Sequence, residues 1–194
     1  MAICGGITIG AAYDCTAPIS PGTKSTIWVA NRDDIESYTV GTNSSVITAI
    51  TMKSGGAFYV FEGNRNSVTP TATFVPQTVS SGFDHQVNFN VFDISSLQKV
   101  NLEILSLSKI TIIVENVNAT GNGDSIFEVY GHGIGMEVET MTRINNDTET
   151  AGSFAIQTRT PDTGGKETQL PLSFFDTDYA TTLAKVVLLE TPAA

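Results

Sequence analysis

The chain has 194 residues, enough for one domain with a real core. Its hydrophobic fraction is 41% and its charged fraction 15%, which excludes wholesale disorder, and its wealth of Thr, Ser, Asn and Gly favours strands and turns over a helical bundle. The formal net charge of −10 divides into −3 over residues 1–93 (4 basic, 7 acidic) and −7 over residues 94–194 (6 basic, 13 acidic), a balance that excludes gripping nucleic-acid phosphates through a basic surface.

The opening "MAICGGITIGAAYDC" has no basic segment followed by an uninterrupted apolar run. It therefore predicts neither a secretory leader nor a membrane span. Residues 1–24, rich in Gly and small side chains, are expected to be an arm that orders on assembly. Cys4 and Cys15 are the only cysteines and read as free thiols of a chain made in the cytoplasm, with a disulfide closing the arm as the alternative. Asn43, Asn118 and Asn146 begin glycosylation triplets that carry no meaning without secretion.

Strand signals follow in order. Thr26 to Ala30 and Val46 to Met52 are candidates, and "KSGG" at 53–56 predicts a hairpin from the second into "AFYVFEG" at 57–63. That segment is apolar on both faces and reads as a central strand or one covered on each side. Ser67 to Phe74 comes next. "HQVNFNVF" then sets His85, Val87, Phe89 and Val91 on one face against Gln86, Asn88 and Asn90, a strand with one wet side.

One helix stands out over about 95–108. Ser95 is its N-cap and Gln98 completes a capping box. Leu97, Val100, Ile104 and Leu107 share a face, with Leu105 beside them, and predict the side that packs on a sheet. "ITIIVEN" at 110–116 is apolar on both faces and reads as a covered strand. "NATGNGD" is a loop, and Ile126 to Tyr130 is a strand. "MEVE" alternates Met136 and Val138 with Glu137 and Glu139; "SFAIQT" sets Phe154 and Ile156 against Ala155 and Gln157. "RINNDTETAG" and "TPDTGGKE" are polar loops. A short helix is expected to start near Asp178, and Lys185 to Glu190 reads as a last strand. The sum is a single mainly β domain over 1–194, an antiparallel β-sandwich or barrel with one flanking helix.

Gly131-His132-Gly133-Ile134-Gly135 looks like a phosphate loop, but the spacing is G-x-G-x-G and a strand pattern follows instead of a helix. A sharp bend between two strands is the better reading. His132 as a base lacks a nucleophile signature, and His85 reads as a packed ring. The pairs Asp33–Asp34, Glu137–Glu139 and Asp176–Asp178 read as solvated acidic faces before cation sites or glycosidase carboxylates. Trp28 reads as core or subunit interface. No catalytic residue, cofactor or metal is expected.

The order of "CGG…YDC", "WVANRDDI", "VTPTATFV", "DHQVNFNVF", "ITIIVENVN", "FEVYGHGIGMEV", "AGSFAIQTRTPD" and "LPLSFFDTDYATTLAK" resembles structural proteins of tailed phages and prophages of Bacteroidetes. The coarse architecture is similar to tail tube proteins. The resemblance implies a virion component assembled in the host cytoplasm. Its subunits would join with copies of themselves into hexameric rings stacked as a tube, touching other tail proteins and no membrane. Genomic DNA would pass the lumen without specific binding, and Glu137 and Glu139 are the acids expected to face it. A head–tail connector ring, a tail terminator or a capsid decoration protein is the alternative within the virion. A soluble ligand-binding module or hydrolase is the alternative outside it.

Overall fold

Every residue of "ITIIVE" is buried, because the strand it forms is covered on both sides. In the computed structural model, which describes residues 10, 22–64, 67–76, 81–117, 123–145, 152–162 and 165–193, this strand is seventh of eleven. The strands are β1 (Thr23–Asn31), β2 (Ile35–Val40), β3 (Val46–Met52), β4 (Tyr59–Glu62), β5 (Thr69–Val75), β6 (Gly82–Val91), β7 (Ile110–Asn116), β8 (Phe127–Tyr130), β9 (Glu137–Ile144), β10 (Ser153–Arg159) and β11 (Leu172–Phe174). Among the described residues two α-helices, α1 (Ser96–Ser106) and α2 (Tyr179–Leu188), and a short 3-10 turn at Arg32–Asp34 complete the fold.

The strands form a seven-stranded sheet, ordered β2-β3-β11-β8-β7-β1-β4, and a four-stranded sheet, ordered β5-β6-β10-β9. All pairings are antiparallel except β11 with β3. Neither sheet closes into a barrel, so of the two expected architectures the sandwich is the one formed. Period-two alternation explains the layering. Ile27, Val29, Ile112 and Val114 meet Val87, Phe89 and Ile156 of the smaller sheet. Trp28, Ala30 and Ile113 point the other way, into a second core with Phe127, Phe174 and Val186 of α2. The larger sheet is thus sandwiched between the smaller sheet and α2.

Several expectations change. "AFYVFEG" does not form a central strand: β4 is the last strand of the larger sheet, paired only with β1, and Tyr59 and Val60 are exposed. "KSGG" is not a hairpin turn, since β3 pairs with β2 and β11 while β4 pairs with β1 at the far end of that sheet. Lys185 to Glu190 is not a strand. Asp178 caps α2 by accepting from Thr181 N at 2.8 Å, and the helix runs on to Leu188 with Val186 inward. The strands β2 and β11 go beyond the sequence reading.

α1 begins where its capping signal places it, with Gln98 N donating to Ser95 Oγ at 3.2 Å. Of the side expected to pack, only Leu105 is buried. Leu102 and Leu105 enter the core between the sheets, while Leu97, Val100, Ile104 and Leu107 face solvent at 72%, 51%, 58% and 91% exposure. The last residues of the expected arm, Thr23 and Lys24, open β1. Residues 1–9 and 11–21, with Cys4 and Cys15, lie outside the described residues, as do Asn118 and Asn146.

Candidate functional site

The glycine-rich stretch is the bend that carries the chain from one sheet to the other. β8 ends at Tyr130 in the larger sheet, and β9 starts at Glu137 in the smaller. Between them Gly131 and Gly135 adopt φ of 68° and 83°, a region that suits glycine. A Cβ on Gly131 would lie 2.9 Å from Ile110 O. The approach is that close because Ile110 and Met136 exchange two backbone hydrogen bonds of 2.8 Å, pinning the bend to the start of β7.

The amides of this bend do form an anion cradle, and the anion is the chain's own. Glu167 accepts from Gly133 N at 3.1 and 3.0 Å through its two oxygens, and from Ile134 N at 3.0 Å. Successive backbone N–H groups converging on a carboxylate make the same concavity that elsewhere holds phosphate. Glu167 is 1% exposed. Burial pushes its carboxyl above the ordinary carboxylate value, opposed by the amides of Ile134, Gly133 and Gly135 and by the Arg32 guanidinium. Arg32 Nε donates to Gly133 O at 3.0 Å, so the bend is tied on both sides. Glu167 is itself held against β6 by reciprocal backbone bonds with Phe83. Its carboxylate is the functional group at the bend that sequence reasoning missed. The only local signal is an acidic residue closing "TPDTGGKE", a pattern shared by any polar loop.

Both histidines flank the cradle. His85 is fully buried; its Nδ1 accepts from Gly131 N at 3.1 Å, and its Nε2 lies 3.0 Å from Gln169 O. These partners assign the neutral ring with its proton on Nε2. His132 stacks tilted at 5.6 Å from His85 and edge-on at 6.5 Å from Tyr38. Burial lowers both rings to about 4, and for His132 the neighbouring His85 and Arg32 add to the effect. The 3.8 Å approach of His132 Nε2 to Glu167 is therefore a contact between a neutral ring and a carboxylate, not an ion pair. As arranged, the cluster fastens two sheets together, and its polar atoms point inward.

The paired acids lie at the surface, and most have a polar partner. Glu137 is 3.9 Å from Lys109, and Glu139 is 3.1 Å from Arg159, which also binds Asp84 at 2.8 Å. Asp176 pairs with Lys185 at 2.9 Å, while Asp178 is spent as the α2 cap. Asp34 accepts from Asn31 Nδ2 at 2.9 Å. Among the described residues no three His, Cys, Asp or Glu side chains gather as a metal site. Trp28 belongs to the core, with Nε1 donating to Glu190 at 2.9 Å. No family model, curated protein or solved structure matches the chain.

The outer surface is the remaining functional feature. β2 and β4 are the terminal strands of the larger sheet, and β5 and β9 of the smaller. Val40 on β2, Tyr59 and Val60 on β4 and Phe74 on β5 are all exposed. Between β4 and α1 runs a groove of about 440 Å³ lined by Val29, Tyr59, Phe61, Gln98, Asn101 and Ile104. No described helix is long and apolar enough to cross a membrane.

Proposed function

We propose that the chain is a structural subunit of a tailed-phage virion, of the tail tube type, whose copies assemble into stacked rings around a channel for DNA. One observation carries the reading. Among the described residues the seven-stranded sheet ends in β2 and β4, each paired on one side only, and both strands carry exposed apolar side chains. Monomeric proteins blunt such edges with charge, bulges or covering segments; β2 carries two register shifts and Glu36, and β4 carries Glu62, yet Val40, Tyr59 and Val60 stay exposed beside them. A head-to-tail pairing of β4 with β2 of the next copy continues the sheet, and such a contact closes into a ring when the rotation allows. The acidic field of a chain carrying −10 suits a channel that phosphates must slide through without sticking.

Negative-stain electron microscopy of the purified full-length protein, with solution mass alongside, tests this. Rings or tubes with a central channel are expected. Discrete assemblies that lack a channel, or a monomer even on addition of preformed tail initiator complexes, would overturn it. Particles decorating a capsid lattice would instead favour the decoration reading.

A further inference from the structure

The outward face of α1 has a spacing that reads the same from either end. Its apolar residues follow at intervals of three, four and three: Leu97, Val100, Ile104, Leu107. That is the a/d spacing of a helical seam. When two such helices meet antiparallel, Leu97 falls opposite Leu107 of the other copy and Val100 opposite Ile104, so all four layers are filled. A contact with this property is isologous and closes at two copies.

We propose that α1 is the docking surface for α1 of a second copy of this chain, paired antiparallel about a two-fold axis. Charge favours a copy as the occupant. The whole chain carries −10, so most faces of two copies repel, but α1 contains one Lys (Lys99) and one Glu (Glu103) and is neutral. Area favours it as well. The four stripe residues expose roughly 500 Å² of apolar surface, a patch at the upper end of what a monomer leaves bare. Ile94 precedes the helix, and Tyr59, on the Val29 face of β4, lies across the groove; with them the surface approaches the roughly 800 Å² that each partner contributes to a stable interface. The helix loses nothing from its own fold by pairing, because Leu102 and Leu105 already anchor it from the other side. The pairing does not rest on the ring reading. It uses α1 and the Tyr59 side chain but not the backbone edges of β2 and β4, so it would gather free subunits into pairs whether or not those edges later join.

Sedimentation velocity of the full chain from micromolar to several hundred micromolar tests the contact. A reversible dimer is expected for the wild type, with the double variant Leu97→Glu/Leu107→Glu weakened about a hundredfold or more. Circular dichroism should be unchanged in that variant, since both positions are solvent-facing. Register is read by disulfide trapping in a Cys4→Ser/Cys15→Ser background. Leu97→Cys mixed with Leu107→Cys should cross-link, and Leu97→Cys alone should not, because antiparallel copies hold the two 97 positions about 15 Å apart. A wild type that stays monomeric throughout, a dimer untouched by the two glutamates, or ready cross-linking of Leu97→Cys alone would overturn the pairing.

Discussion

Acid should unfold this protein well before its carboxylates are all protonated. His85 and His132 are lowered from 6.5 to about 4 by burial, so between those values the unfolded chain binds more protons than the folded one. Stability is then lost as the pH falls. Each ring accounts for about 2 kcal/mol at pH 5 and about 3 kcal/mol once the pH is below both values, giving about 4 kcal/mol for the pair at pH 5. Glu167 works in the opposite sense. Its raised carboxyl favours the folded state as acid is added, so the net loss falls short of the sum. Urea unfolding at pH 7 and pH 5 measures the difference, and Trp28, the single tryptophan and 4% exposed, reports it by fluorescence. His132→Phe isolates one ring. Nδ1 of His132 is buried with no hydrogen-bond partner, so the exchange should cost less than about 1.5 kcal/mol at pH 7 and should roughly halve the acid sensitivity. A variant whose loss between pH 7 and pH 5 equals that of the wild type would show that His132 is not held neutral by burial, and the reasoning would fall.

Three further outcomes are expected. Gly133→Ala forces a methyl into the Glu167 carboxylate, and because amides hold that carboxylate in place the loss should be about 2–3 kcal/mol by denaturant unfolding; an unchanged midpoint would mean the cradle is loose. Leu102→Ala should cost about 3 kcal/mol while Leu107→Ala changes stability by less than about 0.5 kcal/mol, and the reverse order would place the helix the other way round. On the proposed tail-tube reading, Glu137→Lys/Glu139→Lys should slow DNA release from assembled particles measured by dye uptake, and unaltered kinetics would remove these two acids from the proposed channel wall.

The parts of the fold that local pattern decides were legible in the sequence. The buried face of β6 (His85, Val87, Phe89, Val91) follows from alternation, the double covering of β7 from its unbroken apolar run, and both helix starts from Ser95 and Asp178. The bend at 131–135 was readable because glycines followed by strand alternation leave no helix to bind a phosphate. What failed depends on distant chain. The pattern of β4 cannot say that it is an end strand, because its place is set by pairing with β1 some thirty residues earlier. "KVVLLE" has β-branched residues that favour a strand, yet a helix already nucleated at Asp178 propagates through it. On α1 the periodicity located an apolar stripe but not the side that the core would cover; two leucines off the stripe decide that. The Glu167 cradle spans more than thirty residues, and no local signal joins its two halves.

The cradle at the bend can be regarded as a receptor whose ligand is covalently tethered. Glu167 is delivered by a short loop anchored to β6 at Phe83, so the carboxylate faces the amides of Gly133 and Ile134 at an effective concentration of millimolar order or higher. A free phosphate or carboxylate in solution would have to compete with a partner that never diffuses away, and would also have to enter a space that is already desolvated. The crossing between the two sheets is thereby insulated from the anions around it, and its geometry is set by the chain alone.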